Sequence, residues 1–250
     1  MPMAVSRQAG FTIVEVTLFL AITGMLFLIA VLGTGNTIRN VRFTDSGRSL
    51  ESFIQKQYDD IINGVNTRDN QISCTSGTIS TSTSQEVGTS NCLLMGKLIV
   101  FWQNNSNISY YDVIGTEPST VNYAQTDEDL ITSFRPKAVT ASESKYSVTW
   151  GAYPSGFKRL SDSSATNALL LVRSPKSTRI VSYTFKIAAT VPEDLTSTVS
   201  TEANQSQETN FCIKSADGLT VPARLYISGG SSQSSASIIF DASESDCDGV

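Results

Sequence analysis

The sequence predicts an α+β protein, with a long N-terminal helix followed by a domain built on an antiparallel β-sheet. Three observations predict this fold class. Residues 11–33 form one apolar stretch. Apolar residues then recur at spacings of three and four up to Val65, as on one face of a helix. Beyond Cys74 this period disappears, and short β-rich runs alternate with turn-forming clusters.

The composition argues against two classes of function, catalysis and nucleic-acid binding. The 250-residue chain can bury a sizeable core in one large or two small domains. It carries 18 basic and 23 acidic side chains, which give a net charge of −5. General affinity for nucleic acid or anionic lipid needs clustered Lys and Arg, so this negative charge argues against it. It contains no histidine and no G-x-S-x-G, P-loop or metal-binding motif. We therefore expect a protein that is not an enzyme and does not bind nucleic acid.

The first apolar segment has the length of a membrane span. Residues 11–33 make roughly 34 Å of helix, which exceeds the ~30 Å hydrocarbon core of a bilayer. A secretory signal peptide has a shorter apolar stretch that ends at a small-x-small cleavage site. Here the apolar stretch continues to Leu32, and no Ala-x-Ala follows it. We therefore predict one membrane-spanning helix.

Glu15 is the exception within this segment, because no other residue between Phe11 and Ile38 is ionisable. An acidic residue at the centre of a bilayer costs about 2.5 kcal/mol or more, so its presence suggests a function. The structural alternative is that Glu15 lies at shallow depth and stays hydrated at the interface.

Glu15 also belongs to a short motif. Gly10, Phe11 and Glu15 stand together as G-F-T-I-V-E-V, after a leader that contains Arg7. This pattern resembles the class III signal of type IV prepilins and pseudopilins. The resemblance implies that prepilin peptidase, on the cytoplasmic side, cleaves after Gly10 and methylates the new amine on Phe11. It also implies that Glu15 of a neighbouring subunit neutralises that amine in the filament core.

The resemblance implies a structural role as a subunit of a type IV pilus or a type II secretion-like filament. Its partners would be other pilin or pseudopilin subunits, contacted through the N-terminal helix. It would reside in the cytoplasmic membrane before assembly, then extracytoplasmically in the filament or at the cell surface. The order of features after the helix is similar to that of minor pseudopilins. The alternatives are a major filament subunit, a pilin-anchored adhesin or ligand-binding protein, and an anchored protein that is not processed.

The chain departs from the family pattern in two respects. No proline occurs between Pro2 and Pro118, whereas many major pilins carry one midway through the apolar helix. Gly24, Gly33 and Gly35 would soften the helix instead, since glycine lowers helix propensity by about 1 kcal/mol. The leader also carries only one basic residue, so its positive-inside signal is small.

Four regions follow from these patterns: a leader at 1–10, a transmembrane or filament-core helix at 11–35, an amphipathic half of the same helix at 36–66, and a β-rich head at 67–250. Asn63 and Gly64 form the predicted helix end. The amphipathic half carries one apolar stripe: Leu50, Phe53, Ile54, Tyr58, Ile61, Ile62 and Val65. We expect the sheet to wrap this stripe, giving the lollipop shape that the resemblance also implies.

The head is predicted to contain short strands. Tyr183, Phe185 and Ile187 alternate with polar neighbours, which predicts a strand with one buried face. Residues 229–236 have the composition of a hairpin tip. The predicted strands are 93–103, 108–114, 146–152, 168–173, 180–190, 210–215, 223–228 and 237–240.

Four cysteines, Cys74, Cys92, Cys212 and Cys247, are widely spaced and include no C-x-x-C. They permit three pairings, of which the nearest-neighbour set, Cys74–Cys92 and Cys212–Cys247, is the simplest. Disulfides predict an oxidising, extracytoplasmic compartment, and free buried thiols are the alternative.

Two further groups of residues are candidates for binding a ligand. Asp241, Glu244, Asp246 and Asp248 form an acidic cluster that would suit Ca²⁺, although it lacks EF-hand spacing and a solvated acidic tail explains it as well. Five aromatic residues in the strand regions would suit a glycan, although aromatic residues in strands usually belong to the core: Trp102, Tyr110, Tyr111, Trp150 and Tyr153. We expect no cofactor.

Overall fold

The computed structural model describes residues 10–65, 73–75, 78–80, 92–102, 105–123, 125–159, 165–201, 208–218, 220–228, 236–240 and 247. The chain divides into two compact units, Met1–Arg42 and Phe43–Val250. The α+β class is confirmed, because a long N-terminal helix is followed by antiparallel sheets.

Helix α1 comprises Ile13–Ile62, 50 residues without a break. The predicted transmembrane and amphipathic halves therefore belong to one continuous helix. The predicted end at Gly64 is confirmed. Gly64 has a φ of 65° and its N–H donates to the Ile61 carbonyl, while the Val65 N–H donates to the Asp60 carbonyl. These two bonds make a Schellman cap, in which glycine adopts the left-handed conformation at no steric cost.

The described part of the head contains short strands and the short helices α2 and α3. Its elements are β1 (Ser73–Thr75), β2 (Thr78–Ser80), β3 (Cys92–Phe101), β4 (Asn107–Thr116), α2 (Asp127–Ser133), β5 (Lys137–Ala138), β6 (Ser144–Ser147), β7 (Ala152–Arg159), β8 (Ala168–Arg173), β9 (Ile180–Phe185), α3 (Thr196–Val199), β10 (Glu208–Ser215), β11 (Ala223–Ser228) and β12 (Ala236–Ile239).

Among the described residues, these strands form two main sheets and one small ribbon. The larger sheet has the strand order β5-β4-β3-β8-β9, and β6 also pairs with β4. The smaller sheet has the order β12-β11-β10-β7, and β1 pairs with β2 alone. All these pairs are antiparallel.

The larger sheet is buried on both faces. On one face, α1 residues from Phe43 to Ile61 and the smaller sheet join its side chains in one apolar cluster. The ring of Phe53 stacks on Tyr146, with centroids 4.2 Å apart, and Phe101 of β3 meets Phe211 of β10 at 4.6 Å. The opposite face packs against α2 and α3 in a second cluster.

The prediction of one buried face for the strand that contains Tyr183 is therefore wrong. Tyr183 and Phe185 do face the α2 side, but Ser182 and Thr184, on the α1 side, are buried as well. Small polar side chains alternate with apolar ones in this strand. The polar side chains are covered by the layer that contains α1 and the smaller sheet, rather than by solvent. The strand also ends at Phe185, before the predicted end at residue 190.

Most of the predicted apolar stripe on α1 is confirmed. Leu50, Phe53, Ile54, Tyr58 and Ile61 are buried. Val65 is exposed, because it lies beyond the helix end.

The predicted strand at 146–152 is wrong in its middle. β6 ends at Ser147, a 3₁₀ turn occupies Thr149–Gly151, and β7 begins at Ala152. Trp150 and Gly151 have φ values of 58° and 71°, which redirect the chain between two different sheets. The sequence also failed to predict α2, although Thr126 caps it by accepting a hydrogen bond from the Asp129 N–H.

The disulfide between Cys212 and Cys247 is confirmed, with Cα atoms 5.6 Å apart. Cys92 is disulfide-bonded as well. The side chain of Cys74, its predicted partner, lies outside the described side chains. Residues 229–235 of the predicted hairpin tip at 229–236 lie outside the described residues, and Ala236 is the first residue of β12.

Candidate functional site

The candidate site is the beginning of α1, where Gly10 and Phe11 precede the helix and Glu15 lies in its first turn. The hydroxyl of Thr12 accepts a hydrogen bond from the Glu15 N–H at 3.3 Å, and the Thr12 carbonyl accepts the Val16 N–H at 3.2 Å. Thr12 is therefore the N-cap residue, and Glu15 occupies position N3.

This geometry gives Thr12 and Glu15 a local role that the sequence analysis missed. Thr at the N-cap with Glu at N3 is the pattern of a capping box, and an acidic side chain in the first turn is also favoured by the helix dipole. Phe11 and Val16 occupy the positions of a hydrophobic staple. The signal was present in the sequence as T-x-x-E. Capping explains these residues, but it does not explain the unbroken apolar surface that follows.

The surface of α1 after Glu15 is apolar and exposed. The large apolar side chains described from Phe11 to Val31 are exposed by 46% to 84%. The described residues contain one helix long and apolar enough to cross a membrane, and it is this one. An apolar surface of this extent needs lipid or other apolar protein surface against it.

The polar side chains within this segment do not change its character. The hydroxyls of Thr17, Thr23 and Thr34 donate to carbonyls three or four residues earlier in the helix. This pairing removes the cost of placing a hydroxyl in an apolar environment. Glu15 is the one ionisable side chain of the segment, and it is exposed.

Gly10, Phe11 and Glu15 therefore lie together at the N-terminal end of the exposed apolar helix. Among the described residues, a Cβ atom added at Gly10 or Gly24 would meet nothing within 4 Å. Contacts with the described residues therefore do not require glycine at either position.

The predicted calcium ligands Asp241, Glu244, Asp246 and Asp248 lie outside the described residues. Within the part of the chain that the structure describes, no group of three or more metal-ligating side chains is present.

The aromatic residues considered for a glycan site do not share one surface. Tyr111 is buried, while Tyr110 and Trp102 pack against the two different clusters of the larger sheet. Trp150 is 57% exposed, and its Nε1 donates to the carboxylate of Asp45 on α1 at 3.1 Å.

Two carboxylates of the head are perturbed by structural contacts. Partial burial alone would raise the pKa of Asp127. Hydrogen bonds from the hydroxyls of Ser174 and Ser177, with Lys176 and Arg179 nearby, outweigh burial and hold this pKa below its usual value. The carboxylate therefore ties the β8–β9 turn to α2.

Asp194 is the second perturbed carboxylate. Hydrogen bonds from the Thr196 side chain and backbone lower the pKa of Asp194. Its role is to hold the first turn of α3.

No family model, no curated protein and no solved structure matches this chain.

Proposed function

We propose that this chain is a structural subunit of a type IV pilin-like filament, cleaved after Gly10 and assembled through the apolar part of α1. The observation that carries the proposal is the exposed apolar helix surface, which begins directly after Gly10-Phe11 and holds a single carboxylate, Glu15. Membrane lipid would cover this surface before assembly, and the helices of neighbouring subunits would cover it afterwards.

The chemistry of the first residues supports this assignment. Cleavage after Gly10 would leave a positive amine on Phe11, one residue before the helix cap. In an apolar bundle that amine and the Glu15 carboxylate would each carry a large desolvation cost, and pairing between neighbouring subunits offsets it. A buried polar pair of this kind also selects the axial register between helices.

The described head supports a pilin-like packing, in which α1 contributes its second half to the core of an antiparallel domain. We propose that the subunit is a minor one, partnered by other pilin or pseudopilin chains, and that it moves from the cytoplasmic membrane to the filament.

The first test is the mature N-terminus. Mass spectrometry of the protein from its native host should show a chain that begins at Phe11 and carries a methyl group. For Gly10→Leu we expect uncleaved precursor, while Gly24→Ala should be processed normally. Since neither glycine is packed against the residues that the structure describes, a difference between the variants reports on the peptidase rather than on folding. A wild-type chain that retains residues 1–10 contradicts the proposal.

The second test separates charge pairing from helix capping at Glu15. Glu15→Gln keeps a residue that suits N3 of a capping box but removes the charge. Removing one partner of a buried ion pair costs about 3–5 kcal/mol, so incorporation of Glu15→Gln into sheared filaments should fall by about 100-fold or more.

Thr12→Ala is the matched control, because it removes the cap and keeps the charge. Loss of an N-cap costs about 1 kcal/mol, which in a helix of 50 residues affects only the first turn. We expect Thr12→Ala to assemble within about fivefold of wild type. Normal assembly of Glu15→Gln together with a defect in Thr12→Ala would assign Glu15 to capping and remove the charge-pairing role.

A further inference from the structure

The head contains a buried ion pair that has no part in the proposed assembly. Lys97 on β3 and Asp112 on β4 are directly opposite one another in the antiparallel ladder. Lys97 Nζ donates to Asp112 Oδ1, and the two side chains are 1% and 2% exposed. Lys and Asp are among the residue types least often found fully buried.

The pair lies on the face of the larger sheet that packs against α1. Ile99 and Phe101 follow Lys97 at alternate positions of β3, and both belong to the apolar cluster shared with α1. On the other side of Lys97 along the sheet, its partner in the ladder is Leu171 of the same cluster. Bulk water therefore does not reach the two reacting groups.

The position also holds the two groups in register. β3 and β4 pair from Cys92–Thr116 to Phe101–Ile108, so ladder contacts continue on both sides of Lys97 and Asp112. Groups held in a reactive geometry within one molecule reach effective concentrations of about 10⁵–10⁸ M. By contrast, the ion pair between Lys145 and Glu143 is solvent-exposed and has atoms 3.8 Å apart.

We propose that Lys97 and Asp112 condense into an intramolecular amide that crosslinks β3 to β4. The ammonium passes one proton to the carboxylate, and the resulting amine attacks Asp112 Cγ. An Nζ–Cγ bond forms and one Cγ–O bond breaks. The oxygen leaves as water with two of the three ammonium protons, so that atoms and charge balance without an oxidant or a co-substrate.

Burial favours this product over the ion pair. Two desolvated charges are replaced by a neutral amide, which removes the cost of keeping them in an apolar interior. The released water leaves a region from which solvent is excluded, and this slows the reverse hydrolysis. The crosslink would close the β3–β4 hairpin covalently and resist both heat and pulling force. It does not depend on the proposed function of the N-terminal helix.

Peptide mapping of the wild-type full-length protein tests the proposal without any variant. After reduction and denaturation, trypsin should fail to cut at Lys97, because an acylated lysine is not a substrate. We expect one peptide, 69–137, whose mass is lower than that of its sequence by one water molecule. Separate peptides 69–97 and 98–137 at full mass would overturn the proposal.

Variants then assign the bond. Lys97→Met should show full mass over this region after digestion with a protease that does not need lysine, whereas the control Lys145→Met should keep the deficit of one water. A deficit that persists in Lys97→Met would overturn the assignment to this pair. Both readouts are covalent and hold under denaturing conditions, so the result is independent of how well Lys97→Met folds.

Discussion

Gly96 lies where β3 and β8 approach one another closely, and its substitution tests that approach. It follows an irregularity in the β3–β4 register at Met95 and pairs with Val172 of β8. A Cβ atom at this position would lie 1.8 Å from the Leu171 carbonyl oxygen and 3.0 Å from the Val172 Cα. Because these atoms are backbone, Gly96→Ala cannot be accommodated by a rotamer change, and the two strands must separate.

The expected change in the free energy of unfolding is the sum of one stabilising and two destabilising contributions. Replacing glycine by alanine stabilises by about 0.4–1 kcal/mol through the unfolded chain. Overpacking costs about 1–3 kcal/mol, and each ladder hydrogen bond that is weakened costs about 1 kcal/mol more. We therefore expect Gly96→Ala to lower the free energy of unfolding by about 2–4 kcal/mol.

The assay is urea unfolding of the full chain in detergent, followed by the fluorescence of Trp102 and Trp150. Gly115→Ala is the graded control, because its Cβ would be closest, at 2.1 Å, to the Sδ of Met95, a side chain that can move, while the nearest backbone atom, the Phe134 carbonyl oxygen, would lie 2.9 Å away. Gly96→Ala should lose more stability than Gly115→Ala. Equal or greater stability of Gly96→Ala relative to wild type would refute the close approach of β3 and β8.

Three further predictions concern the head. Ile54→Ala, at a fully buried position of α1, should lower the free energy of unfolding by about 2–5 kcal/mol in the same urea assay. Asp127→Asn should remove the part of the pH dependence of stability that Asp127 causes. Because its folded pKa is lowered, this stabilisation is complete above the unfolded pKa and is lost as pH falls through the folded pKa, as thermal melts from pH 6 to pH 2 would show. Cys212→Ser with Cys247→Ser should cost about 4 kcal/mol, since the bond closes a 35-residue separation, and reducing agent should then have less effect on unfolding than it has in wild type.

The helix and its apolar stripe could be predicted from the sequence because both are local periodic patterns. Leu50, Ile54 and Tyr58 repeat at a spacing of four, and the end at Gly64 follows from residue type. The strands β8 and β11 were predicted at their observed bounds for the same reason, since each is a short apolar run between turn residues.

The division into two sheets could not be predicted in this way. A strand that is buried on both faces and a strand that is buried on one face can carry the same alternation, as Ser182 and Thr184 show. Which face is covered depends on elements far away in the chain, here α1 and the smaller sheet. The turn at Trp150 was missed because positive φ at a non-glycine residue has no reliable sequence signal.

Part of the candidate site could be predicted from the sequence, and part of it required the structure. The apolar segment and its single carboxylate, Glu15, are visible in the sequence alone. That Glu15 occupies N3 of a helix capped by Thr12 required the structure, because the first helical residue is set by backbone geometry rather than by hydropathy.

The sequence by itself determined the long helix, its exposed apolar part and the β-rich head, because hydropathy and periodicity are properties of neighbouring residues. Only the tertiary structure decided which distant residues meet. It placed Lys97 opposite Asp112, brought the Leu171 carbonyl against Gly96 and joined Cys212 to Cys247. These contacts depend on strand register and on the packing of layers, and both arise from the balance of interactions over the whole chain rather than from any local pattern.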